Sequence, residues 1–283
     1  MSFDADAHRD ASLHGWEEAA AGWVRSQDLL REFGAPVSHW MLDAVAPQPG
    51  QRVLELAAGL GETGLLAAEL VAPVGGAIIS DQAEAMLAGA RERAAQLGLS
   101  NVEFQVINAE WIDMPVASVD VVLCRWGYML MVDPAAALGE TRRVLRSGGR
   151  LALAVWDAID RNPWAQLPGL ELRERGLVPQ PQPGVPGPFA LGSAEVVSEL
   201  LERAGFAEAN VEALDLHRHH RSFEEYWQST LDLSRITHDA VLSRPQAEVE
   251  QIEQAVKKRF ERYEAPDGSL DIPARTLLAS ASA

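Results

Sequence analysis

The run Val53-Leu-Glu-Leu-Ala-Ala-Gly59-Leu-Gly61-Glu-Thr-Gly64 contains the residues whose types and spacing point most directly to chemistry. An apolar stretch leads into a glycine turn and then into a helical pattern. Glycines at 59 and 61 let the backbone approach a ligand that a Cβ would hold off. Read literally, Gly59-x-Gly61-x-x-Gly64 is a dinucleotide-type fingerprint, and Asp81 follows its first glycine by 22 residues, the spacing of a ribose-binding carboxylate. That pattern alone leaves an NAD(P)-dependent oxidoreductase open. Glu55, late in the apolar stretch, argues for a different ligand. An unpaired carboxylate buried there costs on the order of several kcal/mol, and a cationic, amino-bearing ligand gives it a physical reason to be present.

The elements that must position these residues alternate along the chain. Arg52–Ala57, Ala77–Ser80, Val102–Ile107, Val119–Cys124 and Arg150–Val155 read as strands. Glu62–Val71, Gln82–Leu97 and Pro134–Leu145 read as intervening helices, the last stopped by Ser147-Gly148-Gly149. Strand–helix alternation at this spacing predicts an α/β fold of βαβ units on a parallel sheet. Ahead of it, residues 15–47 read as two helices, with Gly34 and Pro36 as the stop and restart. Beyond it come a proline-rich connector (179–188), a helix at Ser193–Ala204 and a strand at Val211–Leu216. Residues 222–265 carry a helical stripe of Val249, Ile252, Val256, Phe260 and Tyr263, and Ala274–Ala279 is the last strand. The expected organisation is an N-terminal helical cover (1–49), a core (50–221 and 266–283) and a helical insertion or lid (222–265) that could lie over a ligand.

Glu55–Gly61, Asp81, Asn108-Ala109-Glu110, Asp120–Arg125 and Leu145-Arg-Ser-Gly148-Gly149 occur in that order. With these features the chain resembles the class I S-adenosylmethionine-dependent methyltransferases, small-molecule branch, related to the ubiquinone/menaquinone-biosynthesis enzymes. The resemblance is strong over residues 50–156 and looser outside. Ala57 stands in place of a first glycine, Asn108 where an Asp is usual, and Ser147 where a Pro is usual. The resemblance implies a Rossmann-like fold with a seven-stranded, mostly parallel sheet and helices on both faces. It implies S-adenosyl-L-methionine as cofactor, with Ala57, Gly59 and Gly61 around its methionine part and Glu55 near its amino end. Asp81 would accept the ribose hydroxyls, with Gln82 and Met86 beside them. Asn108 and Ala109 would meet the adenine edge, with Glu110 adjoining. Arg125 would lie near the end of the loop after the fourth strand, and Trp23 on a helix closing over the cofactor.

Ligands of open α/β sheets bind beyond the carboxyl ends of the strands, which places Trp126, Met129, Trp156 and Trp164 around an acceptor. An aromatic wall suits an apolar or planar acceptor, and ring faces favour a sulfonium. Methyl transfer by in-line displacement is accelerated mainly by positioning, so a base is needed only for some acceptors. His217, His219 and His220, Asp157, and His14 or His39 in the helical cover are the candidates for one. His217-Arg-His-His220 lacks metal-ligand spacing on a strand, because only 217 and 219 share a face.

Composition narrows the classes. Of 283 residues, 41 are Asp or Glu against 24 Lys or Arg, a formal net charge of −17. That balance opposes a nucleic-acid partner and an anionic membrane surface. Strand four also ends in Leu-Cys-Arg-Trp, not in the Asp/Asn-Pro-Pro-Tyr/Phe run of nucleic-acid and protein amide N-methyltransferases. The single cysteine, Cys124, excludes an intrachain disulfide. No apolar run approaches a membrane span, and the first residues lack the basic and apolar regions of a signal peptide. The expectation is a cytoplasmic enzyme with a small-molecule acceptor and no metal. A cofactor-binding relative without transfer activity is the non-enzymatic alternative.

Overall fold

The computed structural model describes residues 3–180, 182 and 184–283. Met1 and Ser2, read above for leader features, and Pro181 and Pro183 of the proline-rich connector lie outside the described residues.

The chain opens with α1 (Ala5–Arg25), whose first turn is capped by the Asp4 carboxylate accepting from the Ala7 amide at 3.1 Å, and continues into α2 (Gln27–Val45). There follow β1 (Arg52–Glu55), α3 (Glu62–Val71), β2 (Gly76–Asp81), α4 (Glu84–Leu97), β3 (Val102–Val106) and β4 (Val119–Arg125). Then come α5 (Pro134–Val144), β5 (Leu145–Trp156), α6 (Pro163–Glu174), α7 (Ala194–Arg203) and β6 (Ala207–His220). Three helices, α8 (Phe223–Leu233), α9 (Arg235–Leu242) and α10 (Gln246–Phe260), precede β7 (Leu270–Ser282).

The seven strands form one sheet in the order β3-β2-β1-β4-β5-β7-β6. Every pairing is parallel except those of β7, which runs antiparallel to both β5 and β6. The central strands are covered on both faces, which is why Val53-Leu54, Ile78-Ile79 and Val121-Val-Leu123 are continuous apolar runs rather than alternating ones. Chain order reverses between β1 and β4, so their carboxyl ends diverge and open a crevice. Glu55 and Arg125 are the last residues of those two strands.

The helical punctuation differs from expectation in three places. Gly34 and Pro36 do not interrupt α2, and the break falls at Ser26 instead. Gly34 has another reason to be glycine: a Cβ there would lie 1.7 Å from Nη1 of Arg125. The run at 222–265 is three helices, separated at Ser234 and at Ser243–Pro245. The helix α6, with Pro163 in its first turn and Pro168 inside, was hidden by its prolines. The last two strands also extend well past their apolar centres, β6 because it is an edge strand that exposes alternate polar residues.

Residues 222–265 build a second apolar centre with α6, in which Phe223, Tyr226, Trp227, Ile252 and Phe260 pack with Leu172. They also hold α1. Gly22 sits directly on the backbone of Asp232, and the Asp232 carboxylate accepts from Arg25. Arg235 pairs with Glu18 in the same interface.

Candidate functional site

The crevice at the carboxyl ends of β1 and β4 is a cavity bounded by the glycine loop, the ends of β2 and β3, the loop after β4, and α1. Eleven residues expected to bind the cofactor line it: Trp23, Glu55, Ala57, Gly59, Asp81, Gln82, Met86, Asn108, Ala109, Glu110 and Arg125. Gly61 stands just behind. Its φ of 80° turns the chain into α3, and a Cβ there would press on Ala90 and Ile79.

The loop after β1 is held in left-handed backbone. Gly59 has φ 54° and Ala57 φ 49°, a conformation that costs an L-residue such as Ala57 about 1–2 kcal/mol. Asp81 fixes this loop: Oδ2 accepts from the Gly59 amide at 2.9 Å and Oδ1 from the Ala83 amide at 3.0 Å. The carboxylate therefore joins the glycine turn to the start of α4, and each oxygen keeps a lone pair for further donors. Burial raises its pKa, against the pull of the Ala83 and Gly59 amides.

Glu55 is 2% exposed. Burial pushes its pKa up to about 8, opposed by Arg125 and by the amides of Gly64 and Thr63 at the start of α3. No donor reaches Oε2 in hydrogen-bond geometry. Gly64 is what makes room for this oxygen, since a Cβ there would lie 2.5 Å from it. Arg125 is partly buried, with its pKa lowered by burial and drawn back up by Glu55 and Glu62. Its guanidinium lies 4.9 Å over the Trp126 ring, and Nη1 has no partner. A buried carboxyl and a partly buried guanidinium thus flank one cavity, each with an atom unsatisfied. That donor and acceptor set fits the ammonium and carboxylate of a bound amino acid.

At the far end, Met86, Ile107 and Ala109 offer an apolar slot. The Asn108 side-chain oxygen accepts from the Glu110 amide at 2.9 Å, which leaves its NH2 group and one lone pair free. Glu110 acts as a clasp. Its Oε2 accepts from Arg9 Nε at 3.0 Å and Nη2 at 2.7 Å, and its Oε1 accepts from the Val132 amide at 2.8 Å. On the same side, Gln82 Nε2 reaches Ser12 Oγ at 3.4 Å, and the Glu17 carboxylate accepts from the Glu84 and Ala85 amides at the start of α4. Helix α1 therefore closes the cavity, presenting Trp16 and Trp23 edge to face at 5.5 Å. None of residues 222–265 lines the cavity; they act on it through α1.

Of the expected acceptor wall, only Trp126 reaches the cavity. It has φ 60°, an outlier for so bulky a residue, and its Nε1 donates to Thr276 Oγ1 at 3.1 Å. Trp156 stacks on its far face at 4.3 Å, and Trp164 lies 5.0 Å beyond that. Met129 is buried behind them, with its Sδ 3.4 Å from the Trp156 amide. Met129, Trp156 and Trp164 are thus support for the wall rather than its surface.

None of the candidate bases is brought to the cavity. His217 and His219 point outward from β6 and pair with Asp271, while Asp157 pairs with Arg275. The histidine that does line the cavity is His8. It was missed, as were Arg9, Ser12, Leu30, Met131 and Val132. A signal existed for part of this set: His8, Ser12, Trp16 and Trp23 follow one face of a helix. Cys124 is no nucleophile, because burial pushes its thiol up to about 12. Among the described residues no group of three His, Cys, Asp or Glu side chains could hold a metal ion, and no helix is long and apolar enough to cross a membrane.

Comparison with known proteins agrees with this geometry. Residues 47–171 match the family model described as a methyltransferase domain. Ubiquinone/menaquinone biosynthesis C-methyltransferase UbiE of Xanthomonas oryzae pv. oryzae is 38% identical over 133 residues, which cover 45% of this chain and 53% of that protein. Aklanonic acid methyltransferase DauC of a Streptomyces species is 33% identical over 121 residues, 43% of this chain and 55% of that one. The chain spans about half the length of the curated relatives it matches. Among solved structures, the YcgJ protein of a Bacillus species superposes with a TM-score of 0.60 at 18% identity, covering 87% of this chain and 97% of that one. The [4+2]-cyclase SpnF superposes with a TM-score of 0.54 at 17% identity, covering 94% and 95%. These two share the fold.

Proposed function

We propose that this chain, whose residues 47–171 match a methyltransferase domain, is a class I S-adenosylmethionine-dependent methyltransferase related to UbiE and transfers the methyl group of S-adenosyl-L-methionine to a small, partly apolar or aromatic acceptor. The observation that carries this reading is one cavity lined together by Glu55, Arg125 and Asp81, in which Glu55 Oε2 and Arg125 Nη1 have no hydrogen-bond partner. A nicotinamide dinucleotide offers no ammonium to Glu55, whereas an amino-acid end engages both charges at once.

When bound, the cofactor supplies an electrophilic sulfonium methyl. The residues of the chain bind, orient and exclude water around it. Glu55 takes the ammonium and Arg125 the carboxylate, so the amino-acid end is fixed between β1 and β4. The free lone pairs of Asp81 accept the ribose hydroxyls, and Met86, Ile107 and Ala109 enclose the base. Trp126 holds the Arg125 guanidinium 4.9 Å over its ring, an arrangement worth about 0.5–2 kcal/mol. Helix α1 then seals the site through Arg9–Glu110 and Glu17–α4. Alignment of acceptor and methyl in a dry site supplies most of the acceleration. For an acceptor that must lose a proton, His8 is the histidine that the cavity wall offers to take it.

We read residues 1–49 as the cover, 50–221 with 266–283 as the catalytic core, and 222–265 as the brace that holds the cover down. The working partner is a small molecule, and the acidic net charge of −17 supports the absence of a nucleic-acid partner. The test is transfer of an isotopically labelled methyl group to a panel of planar and apolar acceptors. Labelled product from one class of acceptor supports the proposal. Cofactor binding with no transfer to any acceptor would make the chain a non-catalytic relative.

A further inference from the structure

The cofactor accounts for most of the polar atoms on the cavity wall and leaves one group of lining residues without a role. This group consists of Leu30 on α2, Trp126 just past β4, and Leu130, Met131 and Val132 on the loop that follows. All five are partly exposed, whereas Gly127, Tyr128 and Met129 between them are buried. Large apolar side chains left partly open along one cavity are the surface that an apolar ligand covers.

The backbone fixes where this group stands. A Cβ on Gly127 would come 2.6 Å from the Ala57 Cβ and 3.9 Å from the Met131 methyl, so the loop after β4 presses on the glycine loop and carries Met131 beside it. Leu30 lies one helical turn ahead of Phe33 and Gly34 on α2. Phe33 stacks on Trp126 at 5.7 Å, and Gly34 makes room for Arg125. Leu30 and Met131 therefore border the end of the cavity where Ala57 and Arg125 would hold the amino-acid part of the cofactor. The charges on the wall are engaged elsewhere. Arg9 bonds Glu110 and Asp6, and Glu110 also accepts from the Val132 amide. The cofactor occupies Glu55, Asp81 and Arg125. Among the described residues, His8 is the titratable lining residue that remains. A charged group brought among Leu30, Trp126, Leu130 and Met131 would lose its water and find no counter-charge there, which is strongly unfavourable.

Resting on the methyltransferase reading above, we infer that these side chains form an acceptor subsite selective for uncharged, hydrocarbon-rich molecules, with Leu30 and Met131 as its specificity determinants. An acceptor of this class releases water from the apolar wall on entry, and its reacting atom points towards the glycine loop. Carboxylates, phosphates and ammonium compounds are turned away by the loss of their hydration, not by a repelling charge. The subsite thus narrows a partly apolar acceptor to one without a formal charge, and it assigns the selection to α2 and the loop after β4.

The test is calorimetric titration of the full chain at pH 7, saturated with S-adenosylhomocysteine, with three probes built on one ring system: 2-naphthol, 2-naphthoate and 2-naphthylmethylammonium. The neutral 2-naphthol should bind tenfold or more tightly than either ion. Leu30→Lys and Met131→Lys should each weaken 2-naphthol at least fivefold more than they weaken S-adenosylhomocysteine, and should narrow the gap between 2-naphthol and 2-naphthoate. Either ion binding as tightly as 2-naphthol to the unaltered protein, or no binding of 2-naphthol, overturns the inference even if the variants fail to fold. A preference for 2-naphthol that both folded variants keep intact overturns the roles of Leu30 and Met131. Failure of S-adenosylhomocysteine itself to bind counts separately, against the methyltransferase reading.

Discussion

Glu55 and Arg125 set a carboxyl and a guanidinium at the carboxyl ends of adjacent strands without forming an ion pair, both line the same cavity, and each keeps an atom without a hydrogen-bond partner. Had they been in contact, they would satisfy each other and the site would be a structural salt bridge. Gly64 leaves room for the Glu55 carboxyl and Gly34 for the Arg125 guanidinium, and the two remain available to a zwitterion.

The first consequence concerns pH. The Glu55 carboxyl titrates near 8 in the folded chain against an ordinary 4.5. Between those values the unfolded chain has released the proton and the folded chain retains it, so this group lowers stability progressively as pH rises from 4.5 to 8. Glu55→Gln removes that loss. Its stability gain over the native chain should be small at pH 5 and reach about 3–5 kcal/mol by pH 8, read from urea unfolding. The same variant should bind S-adenosylhomocysteine at least tenfold more weakly. A variant whose stability gain does not grow with pH contradicts the buried-carboxyl account.

Binding should also move a proton. An ammonium seated on Glu55 favours its ionised form, so complex formation near pH 7 should release up to about one proton. Calorimetry in buffers of different ionisation enthalpy reads this directly. Identical heats in all buffers would place the ammonium elsewhere.

Gly34→Ala tests the other side of the pair. In an ordinary helix interior the change stabilises by roughly 0.5–1 kcal/mol. Here the new Cβ would lie 1.7 Å from Arg125 Nη1, so the guanidinium must be displaced from its present place on the cavity wall. The expected outcome is a loss of about 1–3 kcal/mol with weakened ligand binding, measured by denaturant melts and titration. A stabilised variant would mean that Arg125 is free to move.

The clasp between α1 and the core makes a kinetic prediction. Arg9→Ala removes a partly exposed pair, which contributes little to stability. Because Glu110 holds both Arg9 and the Val132 amide, the variant should release bound S-adenosylhomocysteine several-fold faster with little change in melting temperature. Stopped-flow displacement gives the rate. An unchanged release rate would show that α1 does not gate the site.

Much of this was legible in the residues. The glycine turn, Glu55 and Asp81 are neighbours in sequence or fixed by the βαβ spacing, so the cofactor side of the cavity could be read from local pattern. The long-range partners were not. Nothing near Arg9 signals Glu110, 101 residues away. Gly34 followed by Pro36 looks like a helix break until the approaching guanidinium explains the glycine. The bases were misplaced for a related reason: alternation on β6 showed that His217 and His219 share a face, but not that β6 is the sheet edge and that face its outside. The same alternation had already put Arg218 and His220 together on the inner face.

The most direct test of the central claim is calorimetric titration of the unaltered protein and of Asp81→Asn with S-adenosylhomocysteine, with NADH as the comparison ligand. The account predicts saturable binding of S-adenosylhomocysteine, no heat with NADH, and affinity weakened tenfold or more when residue 81 loses its charge. Binding of NADH in place of S-adenosylhomocysteine, or indifference to the change at 81, would contradict it.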